Sequence, residues 1–181
     1  GLSTRMLDER QTILGARLAN GFGGTGARSV LVDGWVSWNP APNWRIDAGW
    51  REGWTWAKAS GLVRDGAPIR SRSWAFDVSR AGVLAQGDVL ALRVAQPLRV
   101  EAGGLHLWLP YDYSYASGRA TWGEQSFGLA PAGRERIVEA NWSLPAFGGT
   151  VTLDSYWRQQ PGHFAAAPDD IGGAVRFALG F

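Results

Sequence analysis

From Val175 to Phe181 the chain alternates without a break. Val175, Phe177, Leu179 and Phe181 are large and apolar, and Arg176, Ala178 and Gly180 between them are small or charged. Successive side chains of a β-strand point to opposite faces, so a strand here has one continuous apolar face and one face carrying an arginine. A helix would scatter the same residues around its circumference. The two-residue period predicts an all-β chain. It also poses a question that the strand alone does not answer: what covers the apolar face. A soluble β-sandwich buries it against a second sheet. A transmembrane β-barrel turns it to lipid and keeps the polar face inward.

The period returns along most of the 181 residues. In 149–159, Val151, Leu153 and Trp157 oppose Thr152, Asp154 and Arg158. In 134–145, Val138, Ala140, Trp142 and Leu144 oppose Glu139 and Asn141. Segment 119–129 is more polar, with Trp122, Glu124 and Ser126 on one face, and 104–115 carries Leu105, Leu107 and Leu109. In 88–100, Leu90, Leu92 and Val94 oppose Ala91 and Arg93. In 70–84, Trp74, Phe76 and Val78 oppose Ala75, Asp77 and Ser79. In 44–58, Trp50, Trp54 and Trp56 oppose Asp47 and Arg51, with Glu52 interrupting the apolar face. Segments 29–38 and 12–22 follow more weakly. With 171–181 this predicts about ten strands of about ten residues, the length that a tilted strand needs to cross a bilayer.

Turn chemistry orders these strands. Asn39-Pro40-Ala41-Pro42, Gln86-Gly87-Asp88, Ala116-Ser117-Gly118 and Phe147-Gly148-Gly149 are short and rich in turn formers. The two longest connections, about 59–69 and 160–170, have the opposite parity. Outer-membrane barrels have short periplasmic turns and longer outer loops, which places the C-terminus in the periplasm. The division expected is residues 1–11 as a periplasmic or luminal lead-in, or the end of an upstream strand, followed by an antiparallel transmembrane β-barrel over 12–181.

Composition agrees with this reading. Trp 11 and Gly 25 are high for a chain of this length, and tryptophan prefers the membrane interface, where its ring meets apolar chains and its N–H meets water. A tryptophan-rich soluble sandwich, such as a carbohydrate-binding module, is the alternative on composition alone. Cysteine is absent, which excludes disulfides and thiol chemistry. The formal charge of +2 gives no reason to expect a nucleic-acid partner. No apolar run reaches the roughly 18 residues of a transmembrane helix. Gly1-Leu2-Ser3-Thr4-Arg5 lacks the apolar core of a signal peptide, so the sequence reads as a mature product or the end of a longer polypeptide.

The barrel register assigns sides. Arg17, Asp47, Arg51, Asp77, Arg93, Glu139, Asp154 and Arg176 are expected to face the lumen, where mixed signs make ion pairs. Trp50, Trp54, Trp56, Trp74, Trp142 and Trp157 are expected on the lipid side as an aromatic girdle, and Tyr111, Tyr113 and Tyr115 read more simply as girdle than as a sugar-stacking platform. Val175, Phe177, Leu179 and the terminal Phe181 form a pattern similar to the C-terminal signal of bacterial outer-membrane proteins. That implies the barrel-assembly machinery as a partner, with outer-membrane lipid and lipopolysaccharide around the wall.

Two stretches go beyond a generic barrel pattern. One is Leu90-Ala91-Leu92-Arg93-Val94-Ala95-Gln96-Pro97-Leu98-Arg99-Val100-Glu101-Ala102-Gly103-Gly104-Leu105. The other is Pro161-Gly162-His163-Phe164-Ala165-Ala166-Ala167-Pro168-Asp169-Asp170 running into Ile171-Gly172-Gly173-Ala174-Val175-Arg176-Phe177. Together with Leu129-Ala130-Pro131-Ala132-Gly133-Arg134-Glu135, they resemble the C-terminal β-domain of subtilisin-like serine-protease autotransporters of sphingomonad-type alphaproteobacteria. The resemblance covers about 88–181. It implies an outer-membrane domain that exports or anchors an upstream passenger, in a family whose barrel has twelve strands around a helical linker. With about ten strands visible, it further implies the distal part of such a barrel, or a complete ten-stranded relative. An accessory barrel subunit of a larger surface assembly, and a small pore or lipid-active barrel enzyme, are the alternative functions.

The chain offers little for catalysis. The protease motifs of that family are absent, including the Gly-Thr-Ser nucleophile turn. His106 and His163 are the only histidines. A Ser155–His163–Asp169 or Asp170 relay would need all three groups within hydrogen-bond reach; the simpler reading makes 160–170 a shaped loop and His106 a luminal polar residue. Two distant histidines make a weak metal site, and Asp169-Asp170 reads as solvated loop charge before it reads as a calcium ligand pair. The chain is expected to be non-enzymatic, with no metal and no cofactor.

Overall fold

The computed structural model describes residues 1–19 and 22–179. Phe181 therefore lies outside the described residues. Eleven strands follow one another: β1 (Leu2–Glu9), β2 (Ala27–Trp38), β3 (Trp44–Ala57), β4 (Val63–Arg64), β5 (Ile69–Ala81), β6 (Val89–Ala102), β7 (Gly104–Ser114), β8 (Arg119–Gly128), β9 (Arg136–Ala146), β10 (Gly149–Gln159) and β11 (Asp170–Leu179). A 3-10 turn, Pro161–His163, interrupts the last loop. All the strand pairing is antiparallel. No helix is long and apolar enough to cross a membrane among the described residues.

Eight strands form one sheet in the order β1-β2-β3-β5-β6-β9-β10-β11. The sheet is open: β1 and β11 stand at its edges, and no pairing among the described residues closes it into a ring. Residues 2–9 form β1, hydrogen-bonded to β2 along its whole length from Leu2–Gly34 to Glu9–Ala27. The strand expected over 12–22 does not form over its described residues, 12–19 and 22. Leu14 and Gly15 take left-handed φ of 51° and 80°, closing a tight turn between Ile13 and Ala16. The Glu9 carboxylate holds that turn by accepting from the Leu14 and Gly15 backbone N–H groups and the Thr12 hydroxyl. Arg17 is thereby exposed in an irregular segment off the sheet.

The second departure is the β7–β8 hairpin, expected to be two consecutive wall strands. It pairs instead with β4 in a separate three-stranded sheet, and β6 passes over it to pair with β9. The cause lies in β6. Its ladder to β9 ends at Ala95–Ile137, two residues before Pro97, which has no N–H to give. The register to β5 shifts twice over the same stretch, around Ser71 and Ser73. Gly103 then turns the chain at φ 91°, and a Cβ on Gly104 would sit 1.9 Å from the Phe127 carbonyl oxygen, so only glycine permits the hairpin base to close.

With the hairpin out of the sheet, the connections sort cleanly by end. Residues 39–43, 82–88 and 147–148 make the short turns at one end. Residues 10–26, 58–68, 103–135 and 160–169 make the long ones at the other, hereafter the loop end. Ala116-Ser117-Gly118, expected among the short turns, is instead the tip of the hairpin in the long connection 103–135.

The fully buried apolar cluster sits at the loop end and not against the sheet's apolar face. Ile13, Ala27, Val63, Ile69, Leu105 and Leu107 form it, with Leu18, Phe22, Ala57, Val100 and Leu109 packed around. It joins the 10–26 segment, β4 and the hairpin base to the ends of β2, β3 and β5. Arg64 stacks over the Trp108 ring at 5.7 Å, and the Trp108 backbone N–H donates to the Leu62 carbonyl at 2.7 Å.

Candidate functional site: a polar trough and an exposed apolar band

Cross-strand partners share a face, so the register assigns every side chain. On one face, Asp33 pairs with Arg51, Ser37 with Asp47, Asp47 with Asp77, Asp77 with Arg93, Arg93 with Glu139, Asn141 with Asp154 and Thr152 with Arg176. Seven of the eight charges predicted for the lumen thus lie on one surface; Arg17 is the exception. The pairs connect as contacts. Asp33 accepts from Arg51 and, at 2.8 Å, from Arg5. Asp47 accepts from Ser37 at 2.6 Å and from Arg45 at 2.6 and 2.9 Å. Arg93 bridges Asp77 at 3.4 Å and Glu139 at 3.7 Å, and Asn141 donates to Asp154. This face lines a trough of about 640 Å³ from Arg5 and Asp33 across to Arg93 and Glu139. A second hollow of about 460 Å³, lined by Asp77, Arg93, Asn141 and Asp154, continues it. The sheet is therefore concave on its polar side.

The other face carries Val30, Val32, Val36 and Trp38 of β2, Ile46 and Trp50 of β3, and Trp74, Phe76 and Val78 of β5. It continues through Leu90, Leu92 and Val94, then Val138, Trp142 and Leu144, then Val151, Leu153 and Trp157, to Ile171, Val175, Phe177 and Leu179. All six predicted girdle tryptophans are on it. None of the described residues covers it: Val175 is 74 % exposed, Ile171 75 %, Leu92 49 % and Trp38 60 %. From Ile171 to Leu179 the band extends roughly 26 Å along the strand at about 3.3 Å per residue, which at a strand tilt of about 35–45° spans about 20 Å of the roughly 25 Å apolar height of outer-membrane barrels. Trp54, Trp56 and Trp157 stand toward the loop end and Trp142 toward the turn end, while Trp50 and Trp74 pair between them. Trp157 Nε1–H donates to Asp169 at 3.0 Å and Trp142 Nε1–H to Asp88 at 2.8 Å, so both rings expose an apolar body and tether a polar tip.

Asp88 also fixes the turn beneath Trp142. Its carboxylate is fully buried and accepts the backbone N–H groups of Val83, Leu84 and Ala85 at 2.8 to 3.1 Å. The Trp142 indole N–H first, then these amides, hold its pKa down at about 2. A depressed carboxyl pKa stabilises the fold above the unfolded value near 4, and that contribution is lost as pH falls through about 2. Asp88→Asn is accordingly expected to lower Tm at neutral pH, with the gap to wild type shrinking as pH drops from 4 to 2. Thermal melts followed by tryptophan fluorescence check this; a gap constant over that range would contradict it.

The histidines do not assemble a relay. Glu124 Oε1 and Ser126 Oγ both approach the same nitrogen of His106, Nδ1, at 2.8 and 3.3 Å. A nucleophile and an orienting carboxylate need opposite ring nitrogens. His106, read from the sequence as luminal, lies on the hairpin opposite Ser126 and off the eight-stranded sheet. His163 is a brace: its Nδ1 accepts from the Glu135 N–H at 2.9 Å and its Nε2–H donates to the Leu98 carbonyl at 3.0 Å. Asp169 bonds to Trp157, and Asp170 contacts Tyr156 and Arg158. Ser155 lies along the Ala140 carbonyl at 3.5 Å. No group of three or more potential metal ligands occurs among the described residues. Tyr111, Tyr113 and Tyr115, predicted as girdle, are exposed on the hairpin, away from the apolar band, with Tyr113 and Tyr115 edge to face at 5.1 Å.

Sequence reasoning did not single out the knot that seals the loop end. Arg134 donates to Glu101 at 2.7 and 2.9 Å and to Gln96 at 2.6 Å, and Arg99 reaches the carbonyls of Gly133 and Pro131. Buried Glu135 accepts from Arg158 at 2.8 Å and from the Gly162 N–H at 2.7 Å. The Arg134-Glu135 pair carried the signal, as two charges of opposite sign beside Gly133, a position where a Cβ would meet the backbone of His163 and Ala165. Comparisons with protein-family models, curated proteins and solved structures find no match for this chain.

Proposed function

We propose that the chain is an outer-membrane β-domain that anchors or translocates an upstream passenger and performs no chemistry of its own. The single observation that carries this reading is the uncovered apolar face of the eight-stranded sheet, backed by a concave polar face. In water such a face would be a large exposed patch. In lipid it is the wall, and the trough is the lumen side. The sorting of short turns and long loops to opposite ends supports the orientation, with β11 ending on the periplasmic side. In hydrocarbon the free backbone groups of β1 and β11 need partners. The two edge strands run in opposite directions, as an antiparallel closing pair requires. The resemblance to subtilisin-like autotransporter β-domains adds the passenger and the barrel-assembly machinery as partners.

The test is folding into a membrane mimic. The purified chain is expected to be soluble only with detergent or vesicles, and to migrate faster in SDS gels before boiling than after. A protein that stays monodisperse without detergent overturns the reading.

A further inference from the structure

Glu52 stands on the apolar face, yet it is only 2 % exposed, because Arg70 and Arg72 of the next strand close over it. Arg70 Nε donates to Oε1, and Arg72 Nε donates to Oε2 at 2.8 Å. Each arginine therefore uses only its Nε. The Nη groups of both have no protein partner among the described residues, and the side chains remain 48 % and 39 % exposed. One buried carboxylate thus sets two guanidinium groups side by side with four free nitrogens outward.

The neighbourhood is cationic. Arg99 is the cross-strand partner of Arg72. Arg134 lies on Gln96 and Glu101. Arg136 follows one position beyond the Ala95–Ile137 pair, exposed and without an ion pair among the described residues. Among the carboxylates on this side, Glu52, Glu101 and Asp8 are engaged by basic side chains, and Asp169 accepts from the Trp157 indole. The level is defined as well. Arg70 pairs with Trp54, while Trp74 and Phe76 begin the apolar band toward the turn end. The guanidinium groups stand at the loop-end rim of the band.

We propose that Arg70 and Arg72, with Arg136 beside them, bind the phosphate groups of outer-leaflet lipid headgroups. This rests on the membrane reading, which puts the loop end at the outer surface. Planar guanidinium forks match phosphate oxygens in bidentate pairs, and arginine serves this geometry where lysine gives only a point charge. Glu52 holds the forks in place at the cost of one negative charge.

The experiment uses the full chain folded into phosphatidylcholine vesicles, doped either with diphosphorylated lipid A or with the same lipid after removal of its phosphates. Insertion into phosphatidylcholine alone reports the membrane reading; preference between the doped lipids reports the site. Wild type is expected to retain the phosphorylated lipid about tenfold better, and the Glu52→Gln/Arg70→Gln/Arg72→Gln variant, which leaves no buried charge unpaired, to lose that preference. Inorganic phosphate is expected not to compete; full competition would make this a free-anion site and overturn the lipid assignment. Arg136→Gln, which breaks no ion pair, is expected to lower retention about threefold and decides the matter if the triple variant fails to insert. Insertion with equal retention of both lipids overturns the proposal and leaves the membrane reading standing.

Discussion

Leu92→Arg is expected to abolish insertion into vesicles, while Ala91→Arg, one residue earlier on the same strand, is expected to insert. Leu92 lies centrally in the apolar band, between Val78 and Ala140. An arginine facing hydrocarbon at mid-depth costs roughly 2–4 kcal/mol, or about 30- to 700-fold in the equilibrium constant for insertion. Ala91 faces the trough between Ser79 and Asn141, in the hollow lined by Asp77 and Asp154. An added guanidinium there finds water and two carboxylates. The measurement is the fraction of urea-denatured chain that reaches the heat-modifiable form on dilution into vesicles. Equal insertion of the two variants would remove the argument for lipid on the apolar face.

The second large effect is expected at the loop end. Leu107→Ala should destabilise the docked hairpin by about 2–5 kcal/mol, the range for truncating a buried leucine. Leu107 is buried with Val63 and Ile69, where the hairpin meets β4 and the end of β5. The sheet does not depend on it, because β6 pairs with β9 without the hairpin. Limited proteolysis is therefore expected to cleave within 103–135 much faster in Leu107→Ala, while the folded, heat-modifiable form persists. Leu153→Ala, already half exposed on the apolar band, should leave the hairpin as resistant as wild type. Cleavage of Leu107→Ala at the wild-type rate would show that the cluster does not hold the hairpin.

The division of faces was legible because it is local. Alternation alone puts Asp47, Arg51, Asp77, Arg93, Glu139, Asp154 and Arg176 on one surface and the six tryptophans on the other. Two signals against wall strands at β7 and β8 were also present. Pro110 falls mid-strand, where a ladder partner would need its N–H, and 119–129 has a polar pattern with Trp122, Glu124 and Ser126 on one face. The Glu52 brace was half legible: the interruption of the apolar face was visible, but not the arginines that close over it. Arg70 and Arg72 are eighteen and twenty residues away, and only the β3–β5 register brings them together.

By itself, then, the sequence determined that the chain is β, which residues share a face, and where it turns. Those properties follow from the two-residue period of a strand and from the φ values open to glycine, asparagine and proline. The tertiary structure decided which strand pairs with which. Backbone N–H and C=O groups carry no residue identity, so alternation cannot tell that β6 skips the hairpin for β9, or that residues 2–9 join the sheet while 12–15 turn back on Glu9. These choices rest on non-local contacts: Pro97 ending a ladder, Leu105 and Leu107 burying against Ile13 and Ile69, and Arg134 and Glu135 closing the gap that the hairpin leaves behind.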